Sequence, residues 1–542
     1  MTLTEEERST LLGVASSLAG RSSIVAACVY GSKVAGYSRP DSDYDLLVVA
    51  RRFGEGIRYR YLDEPVASSA LVVDEELLLK DARTSYLGEF VVGRLLNVYE
   101  PLTNPELLKS VELEFKRRVV VEALLSLSSD YGEFASHFIV PYEYFLFDKL
   151  KKRSAVYPPA VYSYVQTYGG PKGAENTQAS VSGFAEAAAS LVERGFVTRH
   201  GDGVRVVPDK LKGDAFTAVQ SLFSLTTRGV TQYAIHGYAG RVGLSVFRKE
   251  AQSKLKRMRE NLPPPPALER PRSLLRLPEG EIISDASRLE KDLARVLGFS
   301  EYAVTERFLG DPYSTTTALK FSWGQKETSV VVKNYSDVRS LKWALLSVWA
   351  AAASRFSMTP LARLAREYAM TLKLRASGVE VPQVVAVAPS ERIMVKEFVE
   401  GPNLSSVIDG LGKDGDGIQS VAAYGSLLAR VHRAGFAIGD AKASNVVISP
   451  RGLVLTDLEQ ALPKGDKSWD VAEFLYYTAK FSIKEGTMRD VARAFLAAYV
   501  GDGERAVVSK AAGPRYLIPF QAFLTPGMTK MIKEELAAAS IG

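Results

Sequence analysis

The sequence predicts a multidomain α+β protein, and three observations carry that expectation. The chain has 542 residues, against roughly 100–200 for one independently packed core. Helix-like runs with apolar residues three and four apart alternate with short apolar stretches bounded by glycine. A run of four prolines, Pro263-Pro264-Pro265-Pro266, interrupts the chain near its middle. No helix or central strand tolerates it, so it reads as a stiff, extended linker.

Five segments follow. Residues 1–105 open with a helical pattern over Glu5–Leu18, then strands over Ile24–Tyr30 and Asp45–Ala50. Residues 106–140 form an amphipathic helical segment. Residues 141–210 show helical patterns, a short strand ending at Thr198, a turn at His200-Gly201-Asp202-Gly203 and a returning strand Val204–Val207. That is the order of a winged helix, a fold that binds nucleic acid in some proteins and serves only as a packing module in others. Residues 211–284 are a helical connector containing the proline linker 263–266, and residues 285–542, from Asp285 on, read as one large unit.

Composition narrows the function classes. Hydrophobic residues are 46% and charged residues 24%, as in ordinary globular proteins. No apolar run approaches the roughly 20 residues needed to span a bilayer. The acidic start, Met1-Thr2-Leu3-Thr4-Glu5-Glu6-Glu7, lacks the basic and apolar regions of a signal peptide. The single cysteine, Cys28, sits in an apolar run as a buried small hydrophobe and has no intrachain partner. A cytoplasmic location and no membrane partner are expected. Four histidines and one cysteine cannot assemble a structural zinc site at the usual spacings. The net charge of +6 permits contact with a polyanion without requiring it. The basic stretch from Arg248 to Arg259 reads either as a solvated helix face or as a set of salt-sensitive phosphate contacts.

The run from Val29 to Val48 carries specific chemistry. A strand ends at Gly31-Ser32, where a missing Cβ and free backbone N–H groups let a triphosphate approach. Further on, Asp43 and Asp45 flank Tyr44 at a strand start, and the period of two puts both carboxylates on one face. Such a pair suits magnesium bridging to substrate phosphates. The pattern resembles the minimal nucleotidyltransferases of the polymerase-beta superfamily over roughly the first 100 residues. The resemblance implies that Gly31 and Ser32 contact the NTP and that Asp43 and Asp45 hold the catalytic metal. It also implies a third carboxylate on a later strand, for which Asp74 is the candidate. Ser69 occupying that position instead is the alternative, and it leaves the metal site incomplete.

A second constellation lies near the C-terminus. The helix-like segment Leu427–Phe436 is followed by Gly439-Asp440-Ala441-Lys442-Ala443-Ser444-Asn445, then by the strand-like Leu453–Thr456 and Asp457-Leu458-Glu459. An acid can orient a hydroxyl, a lysine two residues on can neutralise a transferred phosphoryl group, and Asn with Asp can hold magnesium. Upstream, the apolar strand Ser329–Val332 ends in Lys333, and Glu367 lies on the helical run Pro360–Leu374 as its partner or as a solvated surface acid. Met394–Phe398 reads as a strand leading to a hinge where Glu397 and Val399 meet the adenine.

From Asp285 on, these features resemble the protein-kinase-like superfamily, and within it the RIO kinases and the kinase of the KEOPS tRNA-modification complex. The resemblance implies Lys333 gripping the α- and β-phosphates of ATP with Glu367 as its partner, Asp440 as catalytic base with Lys442, and Asn445 and Asp457 on Mg2+ (or Mn2+). Asp470, in Gly465–Ala472, is then the acid that braces the catalytic loop. In place of a glycine-rich loop the chain has only Leu309–Thr317. Ile438 stands where those families place histidine, and Leu458-Glu459 where they place Phe-Gly. The latter resembles aminoglycoside-type phosphotransferases.

The reading expected is therefore a multidomain α+β chain: a polymerase-beta-like nucleotidyltransferase fold, a helical and winged-helix middle, and a bilobal protein-kinase-like domain. It is a bifunctional transferase using ATP and a further NTP. Lys442 favours a protein Ser/Thr acceptor, and Leu458-Glu459 keeps a small-molecule acceptor open. The rival reading is a regulatory, nucleic-acid-binding scaffold whose two folds bind nucleotide without turnover.

Overall fold

The computed structural model describes residues 3–40, 42–207, 262–284, 286–309, 316–335, 359–414, 417–479 and 484–541. The basic stretch Arg248–Arg259, Asp285 and residues 310–315 lie outside them. Two compact units result, one of Met1–Asp130 with Ala135–Arg276, the other of Tyr131–Phe134 with Leu277–Gly542. No helix among the described residues is long and apolar enough to cross a membrane.

The first unit is built on a five-stranded sheet of β1 (Ser23–Tyr30), β2 (Tyr44–Arg51), β3 (Ile57–Leu62), β4 (Ser68–Asp74) and β5 (Tyr99–Thr103), in the order β3-β4-β2-β1-β5. All neighbours are antiparallel except β2 and β4. Helix α1 (Glu5–Ala19) starts on a capping box, Thr4 and Glu7 bonding to each other's backbone N–H. Its Leu11, Val14 and Ala15 pack on Ala27, Val29, Leu46, Val48 and Val72. Alternation then sends Tyr30, Asp45 and Leu47 to the other face. Cys28 lies on that face fully buried, and burial pushes its thiol up.

A short helix α2 (Ser32–Ala35) follows β1, and α3 (Glu75–Thr84) follows β4. The chain continues through the long α4 (Pro105–Tyr131), β6 (Val140–Pro141), α5 (Tyr142–Val156), α6 (Ala160–Gly169) and α7 (Gly173–Glu193). A hairpin of β7 (Val197–His200) and β8 (Gly203–Val206) closes this part, with β8 between β6 and β7. Residues 1–105, 141–207 and all of 106–140 except Tyr131–Phe134 thus share one unit.

In the second unit, β9 (Glu281–Ile282) and α8 (Leu289–Val296) precede β10 (Ala303–Leu309), β11 (Thr316–Trp323) and β12 (Lys326–Asn334). Helix α9 (Pro360–Ala376), β13 (Val384–Ala388) and β14 (Ile393–Glu397) complete a sheet ordered β10-β11-β12-β14-β13-β9. One face, with Phe321, Val330, Ala386 and Val395, packs on Leu293 and Ala294 of α8.

A largely helical part follows, of α10 (Leu404–Asp414), α11 (Ile418–Arg433), α12 (Lys467–Ala479), α13 (Glu485–Asp502) and α14 (Pro526–Ile541). Between α11 and α12 lie two small antiparallel pairs. One joins β15 (Phe436–Ala437) to β18 (Leu462–Pro463), and the other joins β16 (Val446–Ser449) to β17 (Gly452–Leu455). The core here centres on Tyr424, Leu428, Phe474, Phe495 and Tyr499.

Asp81 shows how the first unit orders an irregular stretch. Its Oδ1 accepts from the N–H groups of Leu87 and Glu89 at 2.8 and 3.0 Å, and its Oδ2 from Val92 at 3.1 Å. Asp81→Ala would leave three buried N–H groups unpaired and is expected to cost about 3 kcal/mol. Urea unfolding checks this; a loss under about 1 kcal/mol would refute the bracing role.

Candidate functional site

The second unit gathers its charged residues by strand register. Lys333 pairs across β12 and β14 with Met394, and Val331 with Lys396. Both lysines therefore project from the sheet face opposite α8, towards α9. Glu367 of α9 meets them there with no exposed surface. Its Oε2 takes Lys333 Nζ at 2.8 Å and the Tyr335 hydroxyl at 2.5 Å. Its Oε1 takes Lys396 Nζ, which also donates to the Thr456 carbonyl at 2.6 Å. Glu367 is thus a buried ion-pair partner and not a solvated acid.

Lys333 also reaches Asp457 Oδ1 at 2.8 Å and Glu459 Oε2 at 3.2 Å, and Arg363 lies 3.5 Å from Glu459. Burial opposes the charge on Lys333, Asp457 and Glu459, so the sign of each shift follows the balance of neighbours. Burial would lower Lys333, but Asp457, Glu367 and Glu459 outweigh it and hold the ammonium well above its usual range. Burial would raise Asp457, yet Lys333 overrides it and holds the carboxyl down at about 2. Glu459 moves the other way, raised by burial with Asp457 and Glu367 adding to it.

The loop after β15 holds the second cluster. Gly439 has φ +75, and a Cβ there would lie 2.5 Å from the Gln460 carbonyl, so only glycine lets the chain turn. Asp470 of α12 accepts from the N–H groups of Ile438 and Gly439 at 2.6 and 2.7 Å. His432 reaches Asp470 from α11 at 3.0 Å, so an imidazole contacts this acid although position 438 is isoleucine. Glu473, one turn on, accepts from Ala441 N–H at 2.9 Å and the Trp469 indole at 3.1 Å. Asn445 donates from Nδ2 to both the carbonyl and Oδ2 of Asp440 at 3.0 Å, and Lys442 pairs with Asp440 Oδ1. Burial works against the charge on Lys442, but Asp440 and Glu473 prevail and raise it. Burial, reinforced by Asp440, pushes Glu473 well above the carboxylate range.

The hairpin β16–β17 joins the two clusters, because Thr456 donates to the Asn445 carbonyl from its N–H and its hydroxyl, at 3.0 and 3.1 Å. Oxygens of Asn445 and Asp457 are hard donors of the kind magnesium takes. In this arrangement Asn445 is bonded to Asp440 and Asp457 to Lys333. Glu397 uses its N–H on the Gln383 carbonyl at 2.8 Å and its Oε1 on Arg451 at 2.9 Å. Val399 follows β14 and is half-buried.

Lys396 and Glu473 were not among the residues singled out from the sequence. The signal for Lys396 was there: a lysine at an inward position of the apolar strand Ile393–Glu397.

In the first unit, β1 and β2 set Tyr30 opposite Asp45. Gly31 has φ +80, and a Cβ on it would lie 2.1 Å from Asp45 Oδ2. The glycine is what lets this carboxylate stand against the turn that Ser32 continues into α2. Tyr44, between Asp43 and Asp45, sends its hydroxyl to Glu7 at 2.6 Å on the α1 side. Asp43 and Asp45 are both half-buried.

The expectation for Asp74 is corrected. The parallel register of β2 and β4 pairs Asp45 with Ser69 and carries Asp74 along to Ala50, five residues away. There Asp74 caps α3, accepting from Glu76 N–H at 3.0 Å and Phe53 N–H at 2.9 Å. The group beside Asp45 is the Ser69 hydroxyl, 3.3 Å from its Oδ1.

No protein-family model matches this chain, and no curated protein matches it. One solved structure, WaaP in complex with acyl carrier protein, is similar at 12% identity over 47% of this chain and 98% of that chain. Its TM-score is 0.25.

The Asp457–Lys333 pair makes stability depend on pH with a definite sign. A carboxyl held at about 2, against roughly 3.9 when unfolded, stabilises the fold above pH 4 and loses that contribution as pH falls towards 2. With 32% of the Asp457 side chain open to solvent, about 1 kcal/mol is expected. The urea stability gap between wild type and Asp457→Asn should therefore shrink by that amount between pH 5 and pH 2. A gap that widens on acidification contradicts the pairing.

Proposed function

We propose that the second unit is an ATP-dependent phosphotransferase of the protein-kinase type. The observation that supports this best is the bonding of Lys333, Glu367 and Asp457 in one cluster, tied through Thr456 and Asn445 to Asp440 and Lys442. Lys333, oriented by Glu367, holds the α- and β-phosphates. Asp440 accepts the proton of an acceptor hydroxyl as its oxygen bonds to the γ-phosphorus. The bond from that phosphorus to the β,γ-bridging oxygen breaks, and ADP leaves with the electron pair. Lys442 neutralises charge on the transferring group. Asn445 and Asp457 hold the divalent cation, Mg2+ or Mn2+, which neutralises the phosphate oxygens.

The acceptor is read as a protein Ser or Thr hydroxyl. Glu459, the residue that kept a small-molecule acceptor open, is committed to Lys333 and Arg363. It therefore says nothing about the acceptor.

For the first unit a nucleotide site at Gly31, Ser32, Asp43 and Asp45 is proposed, and Ser69 beside Asp45 favours binding over nucleotidyl transfer. A serine adds no charge to a metal site, so two carboxylates must do what three would share. The winged-helix reading of residues 141–210 is assigned to packing. Helix α7 carries Glu175, Glu186 and Glu193 and neither Lys nor Arg, while its Asn176 donates to the Ala35 carbonyl at 3.0 Å. Phosphate backbones are met by basic residues.

ATP labelled separately at the α and γ positions distinguishes these roles. The γ label should reach the protein or an added protein substrate and be lost in Asp440→Asn and Lys333→Ala. Transfer that survives both substitutions sinks the kinase reading. The α label should stay on free nucleotide; α-label transfer abolished by Asp43→Ala would restore a nucleotidyltransferase.

Lys396→Met should lower the rate of γ transfer at least about tenfold, since Glu367 and the backbone before Asp457 lose a shared anchor and small displacements at such sites are costly. Steady-state kinetics at saturating ATP and metal measure it.

A further inference from the structure

The first unit encloses a cavity of about 180 Å3 whose lining includes Gly31, Asp45, Arg94, Asn97, Arg153 and Ser163. Its two guanidinium groups stand in different situations. Arg153 is accounted for: Nε donates to the Tyr164 hydroxyl at 3.1 Å, and Nη1 reaches the carbonyl and Oε2 of Glu89 at 3.2 and 3.3 Å. It fills the space a side chain at position 93 would need, since a Cβ on Gly93 would lie 2.3 Å from it.

Arg94 is half-buried and lies against the rings of Tyr30 and Phe90, at 5.6 and 5.0 Å from their centroids. Its Nε donates to the Tyr30 hydroxyl at 3.3 Å. Among the described residues it has no carboxylate within ion-pair distance, unlike Arg118 and Arg153, which both reach Glu89. Asn97, nearby in the lining, uses its Oδ1 as acceptor for the Tyr168 hydroxyl at 2.8 Å. Its amide N–H groups have no partner among the described residues.

A planar guanidinium with unused donors, in a partly closed cavity and with no carboxylate of the described residues within ion-pair distance, matches the geometry and charge of a phosphate. The cavity is smaller than the roughly 300–1,000 Å3 of drug-sized sites, so the ligand is small, or only one end of it enters. The Ser163 hydroxyl and the Asp45 carboxylate offer partners for ligand hydroxyl groups.

We propose that this cavity binds the phosphate monoester of a small hydroxylated molecule, with Arg94 taking the phosphate and Asn97 donating beside it. The site requires neither a metal ion at Asp43 and Asp45 nor phosphotransfer in the second unit. The phosphate could belong to a nucleoside monophosphate or to a phosphorylated sugar, and the experiment separates the two.

The full chain is titrated calorimetrically with ribose 5-phosphate and with AMP, with inorganic phosphate as the minimal probe. Wild type should bind at least one of the two monoesters. Arg94→Met should weaken that binding tenfold or more, or remove one equivalent, while Arg94→Lys retains part of it. Asp457→Asn, which alters the other unit, should leave this equivalent in place. Binding of ribose 5-phosphate assigns a sugar phosphate; binding of AMP alone assigns a nucleotide. No binding of either ester overturns the proposal. So does unchanged binding by an Arg94→Met protein that melts cooperatively, or loss of the equivalent in Asp457→Asn.

Discussion

The second unit depends on one buried carboxylate. Glu367 has no exposed surface, and Lys333, Lys396 and the Tyr335 hydroxyl all converge on it. Two enclosed ammonium groups are tolerable only with counter-charge, because removing one partner from a buried pair leaves an uncompensated ion. The carboxylate fixes both lysines, and through them two further points: the Asp457 side chain and the Thr456 carbonyl. A single charge on α9 therefore sets where two strands and the end of a hairpin must lie. Burial opposes ionisation of Glu367, and the two lysines more than reverse it, so the acid stays charged.

Most of this site was legible in the sequence, for a physical reason. Lys333, Asp440, Lys442, Asn445 and Asp457 lie in local patterns where one short loop or strand end dictates the spacing. The structure brings Lys333 to Asp457, and Asp440 to both Lys442 and Asn445. What spacing could not supply was register between distant segments. Lys396 meets Glu367 only because β12 and β14 pair as they do, and Glu473 reaches Ala441 only because α12 lies under the loop. His432 supplying the imidazole near Asp470 is another case of a group arriving from a different element.

Register is also what corrected the first unit. Asp74 and Ser69 lie on one strand, and the sequence alone allowed either to stand beside Asp45. A parallel pairing of β2 with β4 decides for Ser69, because a strand shifted by several residues would lose the match of its buried face. The same pairing frees Asp74 to cap α3. Gly31, in contrast, was legible as a close-approach glycine, and the space it leaves is filled by Asp45 itself.

The loop from Ile438 to Asn445 is ordered by fixed acids. Asp470 and Glu473 together hold three backbone N–H groups of the loop, those of Ile438, Gly439 and Ala441, from one helix. A loop braced this way is ordered by groups the fold already carries. If the second unit transfers a phosphoryl group as proposed, this bracing would make the loop ready before nucleotide or acceptor arrives. Such a loop would act as a fixed jig, holding its side chains in place without first having to be assembled.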